Sequence, residues 1–329
     1  MDRVLGWFFK QVEVTPTYHQ QRCLATKATG CTVCADVCPH DAIRIRRRVD
    51  IDPVDCTGCG LCVSACPSHA LTPRGSPTPA DIALRCSEVK GNAPSVICLA
   101  RLLPTDLLRL ADPEGVVRLG RGDCAACSVG SAAVPDVVAR TAERAARVAA
   151  TVGRDLHVEC AQVETLDVEV QDRSMSRRDL LRSGSTNAKR VTASALAPLE
   201  RLAGDDVSDA GRPELPSDWV DTLALYDAAG LDPETLVPAR LPYVEEGCIF
   251  CPACTAVCPT DAIQRRFDDD GSTMLWLEPR RCVGCDACVA ACPVHVVGMD
   301  EPVRWGRLDQ ERSVLAERTP GGPIGTAHR

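Results

Sequence analysis

The sequence predicts an α+β protein in which two small cysteine-rich modules flank a small α/β middle domain. Three observations lead there. Cysteine runs of one spacing occur in two pairs, one near residues 31–66 and the other near 248–292. Within each pair the second half repeats the first. Between the pairs, short apolar runs alternate with helical patterns, which predicts strands alternating with helices.

The elements follow in order. Residues 1–17 form an N-terminal segment in which Trp7-Phe8-Phe9 gathers three of the few aromatics. The first module covers about 18–75. Its halves read Cys31-x2-Cys34-x3-Cys38-Pro39 and Cys56-x2-Cys59-x2-Cys62-x3-Cys66-Pro67. The second module, about 240–302, reads Cys248-x2-Cys251-x2-Cys254-x3-Cys258-Pro259 and Cys282-x2-Cys285-x2-Cys288-x3-Cys292-Pro293. Each half predicts a strand, a cysteine loop, one short helix and a strand after Cys-Pro. The proline fixes φ and removes a competing N–H. Phe267–Met274, with Asp268-Asp269-Asp270-Gly271 at its centre, predicts a hairpin turn.

The middle domain, 80–170, predicts strands at Ala83–Cys86, Ser95–Leu99, Val116–Gly120 and Leu156–Glu159, and helices at Thr105–Ala111 and Pro135–Val152. Strands alternating with helices imply a parallel sheet. Residues 171–239 read as a polar linker with a helix near Asp218–Ala229. Residues 303–329 read as a C-terminal tail, expected to be disordered after Pro320.

Composition narrows the function. Four Trp, three Tyr and four Phe are few for one large core in 329 residues. That suits several small domains helped by metal, since metal binding contributes to folding free energy. A net charge of −8 argues against a nucleic-acid partner. No apolar stretch approaches membrane-spanning length, and Val4–Phe9 is too short for a secretory h-region. The 21 cysteines follow metal spacing, not a small disulfide scaffold. The expected location is the cytoplasm, where thiols stay reduced.

These runs resemble those of bacterial-type 2[4Fe-4S] ferredoxins over roughly 120 residues. The resemblance implies a βαββαβ fold in each module and four [4Fe-4S] clusters in all. In the second module it implies that Cys248, Cys251, Cys254 and Cys292 hold one cluster, and Cys282, Cys285, Cys288 and Cys258 the other. In the first, it implies Cys56, Cys59, Cys62 and Cys38 for one cluster and Cys31, Cys34 and Cys66 for the other. There the expected first-ligand position is Ala28, and Cys23 is the natural substitute across a longer loop. A three-cysteine [3Fe-4S] site and a non-cysteine ligand are the alternatives.

In the middle domain, Val96–Arg101, a helix and then Gly122-Asp123-Cys124 resemble the delta subunit of viologen-reducing hydrogenases. That resemblance implies a [2Fe-2S] cluster. The family's cysteine just before Gly-Asp is missing here, and Cys127 follows instead. Cys86, Cys98, Cys124 and Cys127 are four soft ligands at strand ends, open to a [2Fe-2S] cluster, to zinc or to neither. Cys124-x2-Cys127 could instead be a redox dithiol. Cys160 reads as a plain buried residue.

Other features weigh less. Ser176-Arg177-Arg178 resembles an export motif but lies far from the N-terminus; Arg44–Arg48 reads as a solvated strand edge; His40, His69 and His295 read as surface residues. No Gly-x-Gly-x-x-Gly or Walker loop occurs. The expectation is an electron-transfer protein or oxidoreductase subunit serving a redox enzyme or carrier. The alternative is a reductase subunit whose Cys124 and Cys127 act on a disulfide or sulfur compound.

Overall fold

A computed structural model describes residues 14–27, 29–74, 83–168, 211–319 and 324–326. Contacts gather 1–167 with 213–329 into one compact unit and 168–212 into a second, nearly all of which lies outside the described residues. Trp7-Phe8-Phe9, Ala28 and the Ser176 motif also lie outside them.

The first module runs β1 (Thr17–Tyr18), α1 (Val33–Asp36), β2 (Ile43–Ile45), β3 (Val49–Ile51), α2 (Leu61–Ala65) and β4 (Leu71–Thr72). β1 pairs antiparallel with β4, and β2 with β3. Of the basic run Arg44–Arg48, Arg44 lies exposed on β2, while Arg46–Arg48 make the bend between β2 and β3, so most of the run is a hairpin tip. Repelling cations reach water most easily there. Ala42, Ala70, Leu71 and Val63 are buried beneath these very short strands. Strands of two or three residues cannot hold a sheet alone.

The middle domain holds β5 (Ala83–Cys86), β6 (Ser95–Val96), α3 (Pro104–Leu110), β7 (Val116–Arg121), α4 (Val134–Thr151) and β8 (His157–Gln162). Its four strands lie in the order β6-β5-β7-β8, all parallel. Three strand bounds differ from the sequence reading, β7 by running one residue further, to Arg121. β6 stops at Val96 because a 3-10 turn takes Leu99–Arg101, and β8 slides on to Gln162 to pair with Arg121. Val134, Val137, Val138, Ala145, Val148 and Ala149 give α4 a buried stripe at helical spacing.

The chain returns through Pro213 into α5 (Ser217–Ala229), so residues 213–239 are packed structure and no loose linker. Leu223 and Tyr226 are buried, and Tyr226 meets Trp305 edge-on at 5.7 Å. Buried Asp218 accepts hydrogen bonds from the Thr105 N–H at 3.0 Å and the Thr105 hydroxyl at 2.7 Å. It thereby satisfies one free N–H in the first turn of α3 from another helix.

The short β9 (Leu236–Val237) leads to the second module: β10 (Leu241–Val244), α6 (Ala253–Val257), β11 (Ile263–Phe267), β12 (Thr273–Leu277), α7 (Ala287–Ala291) and β13 (Val297–Asp300). β10 pairs with β13, and β11 with β12 across the turn at Asp268–Ser272. The expected tail is a correction. β14 (Val303–Arg304) pairs with β9, α8 (Trp305–Leu308) follows, and β15 (Ser313–Arg318) adds to β12, with β16 (Ile324–Thr326) beyond it. Val303, Trp305, Leu308, Leu315 and Ala316 are all buried. Each such side chain removed from water is worth about 1.5–3 kcal/mol for the larger ones, which holds the segment down.

One apolar core runs through the three parts. Cys59 and Leu61 of the first module, Leu84, Leu99, Leu107 and Leu119 of the middle, and Leu241, Leu275 and Leu277 of the second share it. The middle domain grips the first module closely. The Val129 carbonyl accepts from His40 Nε2 at 3.0 Å and Thr57 Oγ1 at 2.7 Å, and Ser64 donates to the Ala100 carbonyl at 2.7 Å. Gly60 has φ +84°, and a Cβ there would stand 2.7 Å from the Arg101 Cα, so only glycine admits this approach.

Candidate metal-cluster sites

The four Cys-Pro loops repeat one backbone device. Three residues after each of these cysteines the chain takes positive φ: Asp41 at 48°, His69 at 51°, Asp261 at 51° and His295 at 54°. Asp and His are among the side chains that tolerate this conformation. It swings the next N–H back onto sulfur. Ala70 N–H reaches Cys66 Sγ at 3.2 Å, and Ala262 N–H reaches Cys258 Sγ at 3.2 Å. His40 and His69 are half-buried, unlike exposed His295. For the first two the surface expectation is corrected: His40 is taken up by the Val129 carbonyl. Burial lowers the His69 pKa to about 4, with Arg144 adding to the fall.

The folded modules gather four cysteine groups. Burial pushes the Cys34 thiol up to about 11, and Cys66, Cys23 and Cys31 push it the same way. Cys23, Cys34 and Cys66 also share one apolar cluster. Cys62 is driven far up by burial, then by Cys59, Cys56, Cys34 and Cys38. In the second module burial lifts Cys254 to about 11, with Cys248 and Cys251 adding to it. Cys248 is raised by burial, and Cys292 is among its neighbours. Burial carries Cys282 to about 12, against a pull from the Gly284 backbone N–H and with Cys258 and Cys285 pushing upward. Cys288, buried among Cys282, Cys285, Cys258 and Cys254, rises further. Thiols packed this way are neutral. A bound cation would reverse their bias, since a coordinating thiol is deprotonated outright.

The groups lie in single file. Cys62 of one neighbours Cys34 of the next. Cys31 and Cys285 pack against one small apolar cluster of Leu24, Val257 and Ala287, which joins the two modules. Cys288 in turn neighbours Cys254.

In the middle domain, Cys86, Cys98, Cys124 and Cys127 line one small pocket of about 20 Å³. It sits beyond the C-terminal ends of β5, β6 and β7, the edge of a parallel sheet where strand order reverses and ligands commonly bind. Gly122 N–H approaches Cys86 Sγ at 3.4 Å, and Val129 N–H approaches Cys127 Sγ at 3.4 Å. Burial lifts Cys98 to about 12, with Cys59, Cys124 and Cys127 contributing, so this pocket adjoins the Cys56–Cys62 loop. Arg101 lies between, donating to the Gly58 carbonyl at 3.1 Å and the Arg74 carbonyl at 2.5 Å.

Cys160 is a half-buried cysteine packed against the apolar core. It pairs in register with Leu119, and burial raises its pKa while the nearby Arg121 lowers it; Cys124 and Cys86 are its other neighbours. Strand alternation alone could have put it on the face of Leu119 and Arg121, had the register been known.

Whether these groups suit an iron-sulfur cluster can be tested on the protein itself. Each offers four soft thiols, and two offer backbone N–H groups already aimed at sulfur. At the Cys23 group, the buried Tyr18 hydroxyl and the buried Arg22 Nε complete no hydrogen bond. Buried donors seek acceptors, and cluster sulfur is such an acceptor. Among the described residues no three His, Cys, Asp or Glu side chains crowd closely enough to hold one metal ion. Four thiols in each set are the soft donors that an iron-sulfur cluster takes. Among the same residues no helix is long and apolar enough to cross a membrane.

A family model for the 4Fe-4S dicluster domain matches residues 27–70 and again 247–296. The second match contains all eight cysteines of its module; the first starts after Cys23. Neither touches the middle domain, so the resemblance to the hydrogenase delta subunit gains no support. No curated protein and no solved structure matches the chain. The chain thus carries two ferredoxin-like 4Fe-4S dicluster domains, separated by a parallel α/β segment with cysteines of its own.

Proposed function

We propose that the protein relays single electrons through four [4Fe-4S] clusters in ferredoxin-type βαββαβ modules. The observation that carries this reading is the single file of cysteine groups within one compact unit. Cys38, Cys56, Cys59 and Cys62 hold the first cluster of the file, and Cys23, Cys31, Cys34 and Cys66 the second. Cys258, Cys282, Cys285 and Cys288 hold the third, and Cys248, Cys251, Cys254 and Cys292 the fourth. Each cluster supplies a one-electron acceptor whose potential is set by hydrogen bonds, charge and exposure. The chain's part is to bury the thiols, aim the Ala70 and Ala262 N–H groups at sulfur and keep water out. The donor and acceptor are a redox enzyme and another carrier, in a reducing compartment such as the cytoplasm.

Cys86, Cys98, Cys124 and Cys127 extend the file as a fifth centre of the [2Fe-2S] kind. Their common pocket supports this, and so does Cys98 beside Cys59. One observation favours the reductase alternative: Cys124 and Cys127 are half-exposed, and a wide hollow lined by Lys90, Gln162 and Cys127 opens beside them. Iron analysis and EPR of Cys124→Ser/Cys127→Ser separate the readings. The relay reading expects the fifth signal to vanish while the four cubane signals remain; unchanged iron content sinks the fifth centre. Turnover of a small disulfide by the wild-type protein, lost in the same variant, would establish the alternative.

A further inference from the structure

Arg22 is only 2% exposed, yet its Nε has no partner, and its Nη1 reaches only the Glu214 carbonyl at 3.5 Å. It stands next to Cys23 in the chain, and its charge is felt at Cys66. Tyr18 packs in the same apolar cluster as Cys23, Cys34 and Cys66, lies against Cys23 and the Val49 backbone, and leaves its buried hydroxyl without a completed bond. A buried cation whose donors are not all satisfied is costly, and so is a buried hydroxyl without an acceptor. Both sit at one group of four thiols; Glu214 tempers the charge of Arg22, yet the Arg22 Nε still has no partner.

Its sibling loops lack this pairing. The residue before the first cysteine of each repeat is Arg22, Asp55, Gly247 and Arg281. Asp55 and Gly247 are exposed. Arg281 is half-buried and engaged, its Nε donating to the Thr260 carbonyl at 2.9 Å and its Nη2 to the Pro213 carbonyl at 2.6 Å. Arg101, near the Cys56–Cys62 loop, is likewise engaged by carbonyls.

Resting on the four-cluster reading, we propose that Arg22 and Tyr18 are positioning residues that hold an electron on the cluster of Cys23, Cys31, Cys34 and Cys66. Reduction adds one negative charge there, and a buried guanidinium and a hydroxyl donor stabilise the added charge. This cluster lies where the two modules meet, through Leu24 and Cys31 against Cys285. The electron thus rests at the crossing between modules.

The test is an EPR-monitored reductive titration of the full, iron-loaded chain. Arg22→Gln is expected to shift one cluster's one-electron equilibrium at least tenfold toward the oxidised form, about 59 mV lower in potential, leaving the other clusters in place. Tyr18→Phe moves the same cluster in the same direction by less, and Arg22→Lys restores most of the loss. Four cluster signals with no shift in Arg22→Gln overturn the proposal while leaving the relay intact. If Arg22→Gln loses the cluster, Tyr18→Phe decides: a lowered potential at the Arg22→Lys-retained cluster upholds the proposal, and no change overturns it. Fewer than four clusters in the wild-type protein would instead overturn the relay itself.

Discussion

The two cysteine-rich modules carry the same motif on unequal frames. The second has strands of four or five residues, and β15 widens its β11–β12 hairpin into a larger sheet. The first has strands of two or three residues and no such addition. It leans instead on the middle domain, through the Val129 carbonyl, the Ser64–Ala100 bond and the close approach at Gly60. The second module has its eight cysteines in regular spacing, whereas in the first the cysteine before Cys31 is Cys23, eight positions back. A cysteine run thus specifies the metal chemistry, while the neighbours specify how firmly the loops are held.

The largest expected effect is that of removing iron. Chelation should loosen the first module before the second, because metal binding is folding free energy and the first module has less else to hold it. Limited proteolysis of the chelated protein should cut within residues 18–75 while 240–318 stays intact. Equal cutting of both modules would erase the comparison. Next comes Cys23→Ser. Iron content should fall by about one iron, with a [3Fe-4S] signal in place of one cubane, or by a whole cluster. An unaltered cubane spectrum would show that Cys23 is no ligand.

Core changes rank third. Leu241→Ala empties a fully buried site in β10 and should cost about 2–5 kcal/mol in thermal or denaturant unfolding. A cost under about 1 kcal/mol would mean that the second module is less tightly packed than described. The smallest effect is expected of Thr57→Val. It removes the bond to the Val129 carbonyl together with the hydroxyl's contact to Cys59, and should cost about 0.5–1.5 kcal/mol, felt by the first module alone. A loss in the second module instead would contradict the division of support between them.

Much of this was legible in the sequence where the signal is local. The strand Ala83–Cys86 falls where alternation puts it, and α4 at Val134–Thr151 is one residue from its predicted bounds. The grouping of the cysteines follows from the resemblance of their runs to those of ferredoxins, which implies which thiols share a cluster. What depends on distant partners could not be read. Nothing near Val129 announces that its carbonyl serves both His40 and Thr57. Arg22 looks like any surface arginine until Glu214 returns beside it. Ser313–Arg318 looked like tail because its apolar residues are few, yet Leu315 and Ala316 find β12 already waiting. Cys160 needed a register that only the folded sheet supplies.

The central claim is tested most directly by counting iron and acid-labile sulfide per chain in anaerobically prepared protein, alongside EPR of the reduced state. Four cubanes predict about sixteen iron and as many sulfide, or about eighteen of each with a [2Fe-2S] centre at Cys86, Cys98, Cys124 and Cys127. Interacting cubane signals are expected, since neighbouring groups lie in file. About eight iron, or metal without sulfide, would contradict the account.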